Sequence, residues 1–507
     1  MDIFYALASV LTDPVILMWV FLGAVIGMII GAIPGLTASA AIALLLPVTF
    51  YMEPLAALAF LYVIGKSGRY GGSIAAILFN TPGTAASAAT QIDGYPLSRQ
   101  GKAAKAMKVA TVSSVIGDFF GEIVLIVGIA YIAAIALRLG PPELFAIYFA
   151  AFIVIGSVIG KSVALGMASA ALGVVVATVG VDPISSQERL TFGSTDLAGG
   201  VALVPLMIGI FVMAEVFNQL EARLRPVETF IPGADEDSRA RNRLSWAEYR
   251  PCIPHAIRSA VIGSAIGVLP GLGSSIAAFV AYGEGKRWAR NPEQWGKGAL
   301  EGVAAPEAAN NAVSGPSMAP LLTLGIPGST IGAIMVGVFL IHGIQIGPTL
   351  FVTSRELVFS LFACGLIGIA MYGLVGYFGA SWVGRFISRI PADLLYPLIF
   401  LTAVIASYST RNSIFDVGLM LAFGILGWLM KRYDFNAPAF VISFVLASGA
   451  EEAFRQSMRL SRDDISIFFT RPVALAFLVI GVSVLLFRAY GALRGAASSR
   501  RPQETAE

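Results

Sequence analysis

Glu307, Asn310 and Asn311 fall three and four residues apart in "APEAANNAVSGPSMAP", so a helix would carry all three on one face. Side-chain carbonyl and carboxylate oxygens grouped in this way suit a hard cation. Their plainer use is hydrogen bonding between helices. Asp118 and Glu122, four apart in the apolar stretch Val109–Leu137, form a second acidic pair on one face. That pair suits a bound cation or a proton relay, and equally suits neutralisation of Lys66 or Arg69 in "VIGKSGRYGGS". Arg69 has the alternative of pairing with a substrate carboxylate, which guanidinium binds in bidentate fashion. Glu307, Asn310, Asn311 and Asp118 are therefore the coupling-cation candidates.

A second group of residues surrounds four Pro-Gly pairs inside apolar sequence: "GAIPGLTASAAIAL" (31–44), "FNTPGTAASAAT" (79–90), "GVLPGLGSSIAAFV" (267–280) and "LGIPGSTIGAI" (324–334). Proline removes a helical hydrogen bond and so breaks a helix. Irregular backbone at membrane depth persists only where protein buries it or a watery cavity lines it. The half-helix ends so exposed favour anions at their N-termini and cations at their C-termini. Nearby hydroxyls add donors and acceptors. Pro34, Gly35, Thr37, Ser39, Asn80, Thr81, Gly83, Thr84, Ser274, Ser275, Gly328, Ser329 and Thr330 are thus candidates for contact with an anionic substrate, together with Arg69, Gly72 and Ser73. Simple kinking of packed helices is the competing explanation for each break taken alone.

The elements that must position these residues are membrane helices. The chain of 507 residues is 57% hydrophobic and 13% charged, about half the charged fraction of a soluble domain. Apolar runs near the ~20 residues that cross a bilayer recur from end to end. The N-terminus has neither a basic n-region nor a cleavage pattern, so no removable signal peptide is expected. Two cysteines and two histidines, far apart in sequence, leave no thiolate or imidazole metal site. Gly160-Lys161-Ser162 lacks the first glycine of a P-loop, since position 155 is isoleucine. No catalytic set and no cofactor is expected, and no nucleic-acid partner.

Gln219–Arg258 is the longest polar stretch, with seven Arg against six Asp or Glu. It divides a first half, 1–218, from a second, 259–507, as a linker over 219–258. The halves echo each other. Segments 31–44 and 267–280 share six identities in fourteen at an offset of 236, and Pro82-Gly83-Thr84 matches Pro327-Gly328-Ser329 at an offset of 245. Basic charge changes sides between equivalent loops: 91–108 carries four Lys or Arg and 341–356 carries one, whereas 47–54 carries none and 284–298 carries four. Cytoplasmic loops are the basic ones. The expected fold is an all-α polytopic membrane protein of two inverted-topology repeats, with broken or re-entrant helices and roughly 10–12 membrane segments. In this threading 219–258 and the tail "RRPQETAE" are cytoplasmic, 47–54 and 341–356 lie outside, and 15–46 and 259–282 turn back at Pro34-Gly35 and Pro270-Gly271; the rival threading takes 259–282 as one full crossing.

Residues 70–106 ("YGGSIAAILFNTPGTAASAATQIDGYPLSRQGKAAKA") and 305–348 ("APEAANNAVSGPSMAPLLTLGIPGSTIGAIMVGVFLIHGIQIGP"), with "IPGLTAS" near the start, closely resemble the large permease subunit of tripartite tricarboxylate transporters, the TctA family. The resemblance extends over essentially the whole chain. It implies a secondary transporter of the bacterial inner membrane, driven by a Na+ or H+ gradient, that takes up citrate or another carboxylate. It also implies a small TctB-like membrane subunit and a periplasmic TctC-like solute-binding protein. The basic pair Lys66 and Arg69 departs from the mostly neutral residues that the family carries there. The rival reading is a channel-like pore or membrane scaffold without ion coupling, for which a continuous polar path or rings of identical residues are expected.

Overall fold

A computed structural model describes residues 2–158, 162–182, 185–223, 242–269, 271–389 and 392–499. The Gly160-Lys161 pair, linker residues 224–241, Pro270 and the tail 500–507 lie outside the described residues. Apart from a two-residue antiparallel pairing of Gly180–Val181 with Glu188–Arg189, the regular structure described is helical. The first half supplies α1 (Asp2–Thr12), α2 (Pro14–Gly31), α3 (Ala38–Leu45), α4 (Pro54–Phe79), α5 (Ser87–Arg99), α6 (Ala103–Ala136), α7 (Pro141–Val158), α8 (Val163–Ala177) and α9 (Leu203–Glu221). The second supplies α10 (Cys252–Gly267), α11 (Gly273–Arg287), α12 (Leu300–Ala312), α13 (Met318–Leu324), α14 (Thr330–Ile341), α15 (Arg355–Arg389), α16 (Ala392–Arg411), α17 (Ile414–Arg432), α18 (Ala437–Ser461) and α19 (Pro472–Ser499).

Among the described residues, eight helices are long and apolar enough to cross a membrane, and five shorter apolar helices of 10–17 residues accompany them. The chain is a multi-pass membrane protein. Local chemistry sets the helix ends. Asp13 accepts hydrogen bonds from the amides of Val15 and Ile16, and Pro14 stands at the first helical position of α2, where its missing N–H costs nothing. Apolar side chains such as Val479, Ile480, Leu486 and Phe487 on α19 point outward, as a lipid-facing helix requires.

Two compact units are present. Residues 1–136 and 203–428 form one, and residues 137–202 and 429–507 form the other. Each draws on both halves of the sequence. In the second unit α7 packs on α19 and α8 on α18, and the Phe145 ring lies tilted against those of Phe454 and Phe468 at centroid distances of 5.1 and 4.9 Å.

The first unit holds the Pro-Gly breaks and the polar residues. Its helix contacts come in matched pairs across the halves: α2 with α4 and α10 with α12; α3 with α14 and α11 with α5; α4 with α15 and α12 with α6; α2 with α15 and α10 with α6. The close approaches keep the offsets seen in the sequence. A Cβ on Gly31 would collide with the Gly68 carbonyl oxygen, and one on Gly267, 236 residues further on, would lie 2.9 Å from the carbonyl oxygen of Val313, 245 beyond Gly68. Small residues on these faces let backbones touch, which is how helices associate without a hydrophobic drive between them. One difference separates the halves. α10 and α11 are legs of nearly equal length that pack on each other about Gly271, whereas α2 alone has 18 residues, about 27 Å of helix.

Candidate functional site

The breaks have matching backbone geometry. α4 ends at Asn80 and α13 at Gly325, both in the left-handed conformation with φ of 55° and 72°, and 325 − 80 gives the offset of 245. Gly35 and Gly271, 236 apart, have φ of 88° and 86°. Only glycine, or occasionally asparagine, takes up this conformation without much strain. In the second half the Gly271 amide donates to the Gly328 carbonyl at 3.1 Å, tying that half's two breaks together. In the first, the Gly83 amide donates to the Gly72 carbonyl at 3.2 Å.

Three break regions line one face of α4. Gly65 adjoins Ile331 at the start of α14, Gly68 adjoins Ala38 at the start of α3, and Gly72 adjoins Thr84 in the turn leading to α5. The i, i+3, i+7 spacing keeps these contacts on one side. Seven residues correspond to about 10 Å along the axis, so breaks from both halves approach the middle of a single helix.

The break hydroxyls serve their own helix ends. Thr37 accepts from the Ala40 amide at 3.2 Å, Thr84 from the Ser87 amide at 3.1 Å and Ser329 from the Gly332 amide at 3.1 Å. Thr37 and Thr81 are exposed and Ser39, Ser274, Ser275 and Thr330 half-buried. Asn80 accepts from Gln91 at 2.6 Å. The Pro34 carbonyl accepts from the Tyr396 hydroxyl at 3.4 Å, and Gly35 sits against Glu215 and Gln219.

The denser polar cluster lies beside this face, between α4, α5, α6, α12 and α15. Glu307, fully buried, accepts hydrogen bonds from the hydroxyls of Ser73 and Thr90, and from Ser114 at 2.8 Å. Asn311 donates to Ser114 at 2.9 Å and to the Glu307 carbonyl at 3.0 Å. Arg69 donates to the Asn310 backbone carbonyl at 3.3 Å. Lys66 donates to Asp118 at 2.7 Å and to Glu122 at 2.9 Å, and all three side chains are fully buried. Of the roles open to the acidic pair, neutralising Lys66 is thus what the structure displays. Tyr62 donates to Glu122 at 2.8 Å and Tyr372 to Asp118 at 3.3 Å.

Four buried polar atoms here have no hydrogen-bond partner: Asn310 Nδ2 and Oδ1, Asn311 Oδ1 and Glu122 Oε1. Buried polar atoms are normally satisfied. Asn310 is the sharpest case, because its whole amide group is idle at 1% exposure.

Sequence reasoning missed Tyr62, Thr90, Ser114, Ser314 and Tyr372. A signal for the first was present, since Tyr62, Lys66, Arg69 and Ser73 recur at helical spacing as a polar stripe along α4. Asp93 was missed too. One oxygen of its buried carboxylate accepts from the amides of Gly296, Gly298 and Ala299, each at 2.8 Å, and the other from the Tyr282 hydroxyl at 2.8 Å. It fixes the entry to α12, and with it Glu307. Asp93→Asn should therefore lower the thermal midpoint, because hydrogen bonds to a charged acceptor contribute about 1.5–3 kcal/mol each. An unchanged midpoint in a fluorescence melt would remove Asp93 from this role.

Comparison with known proteins gives consistent results. Residues 17–442 match the tripartite tricarboxylate transporter TctA family. An uncharacterised 52.8 kDa protein of the TAR-I ttuC' 3' region of Agrobacterium vitis is 36% identical over 495 residues, covering 95% of this chain and 94% of that protein. An uncharacterised protein of the TAR-II ttuC' 3' region of the same organism is 37% identical over 237 residues, which is 46% of this chain and 96% of that protein. No solved structure matches.

Proposed function

Because the chain belongs to the tripartite tricarboxylate transporter TctA family, and so is a membrane component of such a transporter, we propose that it is the permease through which an ion gradient drives import of a tricarboxylate or other carboxylate. In this reading a small TctB-like subunit accompanies it in the bacterial inner membrane, and a TctC-like binding protein delivers substrate from the periplasm. The observation that carries the reading is the convergence of helix starts from both halves on one face of α4, beside Arg69 and an idle Asn310 amide. Helix N-termini and a guanidinium together offer an anion backbone donors and charge. Orphaned carboxamide oxygens of Asn310 and Asn311 nearby offer a cation its ligands.

The matched contacts of the first unit support two repeats, 1–218 and 259–507, and the exchange of basic charge between equivalent loops supports their inversion across the membrane, with 219–258 cytoplasmic. Alternating access then follows from movement of one repeat's elements against the other's around the breaks. In a background with the buried Cys252 and Cys364 replaced, Gln345→Cys should react with an impermeant reagent from outside and Asn291→Cys only from inside. Labelling of both from one side would refute the inversion.

Transport itself is tested in proteoliposomes holding the permease, its small subunit and the binding protein loaded with citrate or another carboxylate. Accumulation above the external concentration under an imposed Na+ or H+ gradient is expected. Equilibration without accumulation would favour the channel-like alternative.

A further inference from the structure

The Lys66 ammonium has the surroundings of a bound metal cation. Asp118 Oδ1 stands at 2.7 Å, Glu122 Oε2 at 2.9 Å and Ser314 Oγ at 3.4 Å, and the Tyr62 ring centroid lies 4.6 Å from Nζ. These groups come from α4, α6 and the turn after α12, and every charged member is fully buried. Two carboxylates and a hydroxyl form the oxygen-rich shell that alkali and alkaline-earth ions select. Hydrogen bonds hold the shell in shape from behind, through Tyr62 on Glu122 and Tyr372 on Asp118. One ligand oxygen is left over: Glu122 Oε1 is buried with no partner. An ammonium has three donors and uses them on Asp118, Glu122 and Ser314, so it cannot also serve this oxygen. A free metal ion, which has no fixed number of directional donors, could.

We propose that Lys66 is a tethered cation filling an alkali-ion position built by Asp118, Glu122 and Ser314, so that no exchangeable ion occupies this position in the native protein. The coupling ion must then act elsewhere in the cluster. Asp118 serves as the fixed counter-charge of Lys66. The proposal concerns cation binding by the folded chain and holds whether or not the transport reading is correct.

Lys66→Ala removes the ammonium and leaves a vacancy between two buried carboxylates. Two uncompensated buried charges are strongly destabilising, and a metal ion that binds only the folded state restores stability by mass action. Thermal midpoints of the full-length protein in detergent are compared in LiCl, NaCl, KCl and choline chloride at equal ionic strength. The expected result is a saturable rise of several degrees in Lys66→Ala with at least one alkali ion, over and above any rise in the native protein. Lys66→Ala/Asp118→Asn/Glu122→Gln, which keeps the shape and removes the charge, should fold in choline and lose that extra rise. If Lys66→Ala is recovered folded only when an alkali salt is present during purification, the proposal also stands. Equal cation dependence in Lys66→Ala and the native protein would overturn it. So would a Lys66→Ala protein that none of the three alkali ions rescues while the triple variant folds, and so would failure of both proteins to fold in every salt.

Discussion

Alanine at Gly83 should cut carboxylate uptake by at least about tenfold, whereas alanine at Gly328 should leave it within about twofold. The two glycines hold equivalent places in the sequence, so the difference comes from packing alone. A Cβ on Gly83 would collide with the Gly31 carbonyl oxygen and lie 2.7 Å from the Gly72 Cα. Both obstacles are backbone, and neither can rotate aside. A Cβ on Gly328 meets the Ser317 carbonyl oxygen at 3.3 Å, a contact that a shift of a few tenths of an ångström relieves. Overpacking of this sort typically costs about 1–3 kcal/mol, and 1.4 kcal/mol is tenfold. Uptake must be normalised to folded protein in the membrane. Valine at either position should be worse than alanine, since its branched side chain adds bulk to the crowded backbone. Equal tolerance of alanine at both positions would mean that the first break does not need its close approach to α2 and α4.

Much of this arrangement was legible in the sequence. Proline and glycine mark the helix breaks because their backbone chemistry acts locally, and the 236 and 245 offsets reappear in the φ angles of Gly35 and Gly271 and in the ends of α4 and α13. The grouping of Glu307, Asn310 and Asn311 was legible because one helical turn places them together. Partnerships across long sequence separations were not. Ser73, Thr90 and Ser114 meet at Glu307 from three different helices, and nothing in their spacing announces a shared acceptor. The sequence reading also did not assign the local partners of the break hydroxyls: Thr37, Thr84 and Ser329 each accept a hydrogen bond from an amide at their own helix starts. Capping is a local need that a serine or threonine beside a proline satisfies first. Nor could the sequence show the two compact units, because each combines stretches hundreds of residues apart.

Asn310→Ala should separate function from stability. The Asn310 amide makes no hydrogen bond and is 1% exposed, so its loss leaves the thermal midpoint unchanged or raised, as replacement of an unsatisfied buried group does. Asn311→Ala differs, since its amide donates to Ser114 and to the Glu307 carbonyl, and it should lower the midpoint. If Asn310 supplies a ligand to the coupling cation, its loss weakens that ion, and linkage passes the same factor to the carboxylate. Loss of one such ligand interaction, about 1–3 kcal/mol, corresponds to about 5- to 150-fold. The most direct measurement is carboxylate affinity of the purified permease across a titration of Na+ at fixed pH and of pH at fixed Na+, in the native protein and in Asn310→Ala. The native affinity should rise with one of the two cations, and Asn310→Ala should need at least about fivefold more of that cation for the same affinity, with its midpoint intact. Native affinity indifferent to both cations, or an identical cation dependence in Asn310→Ala, would contradict the account.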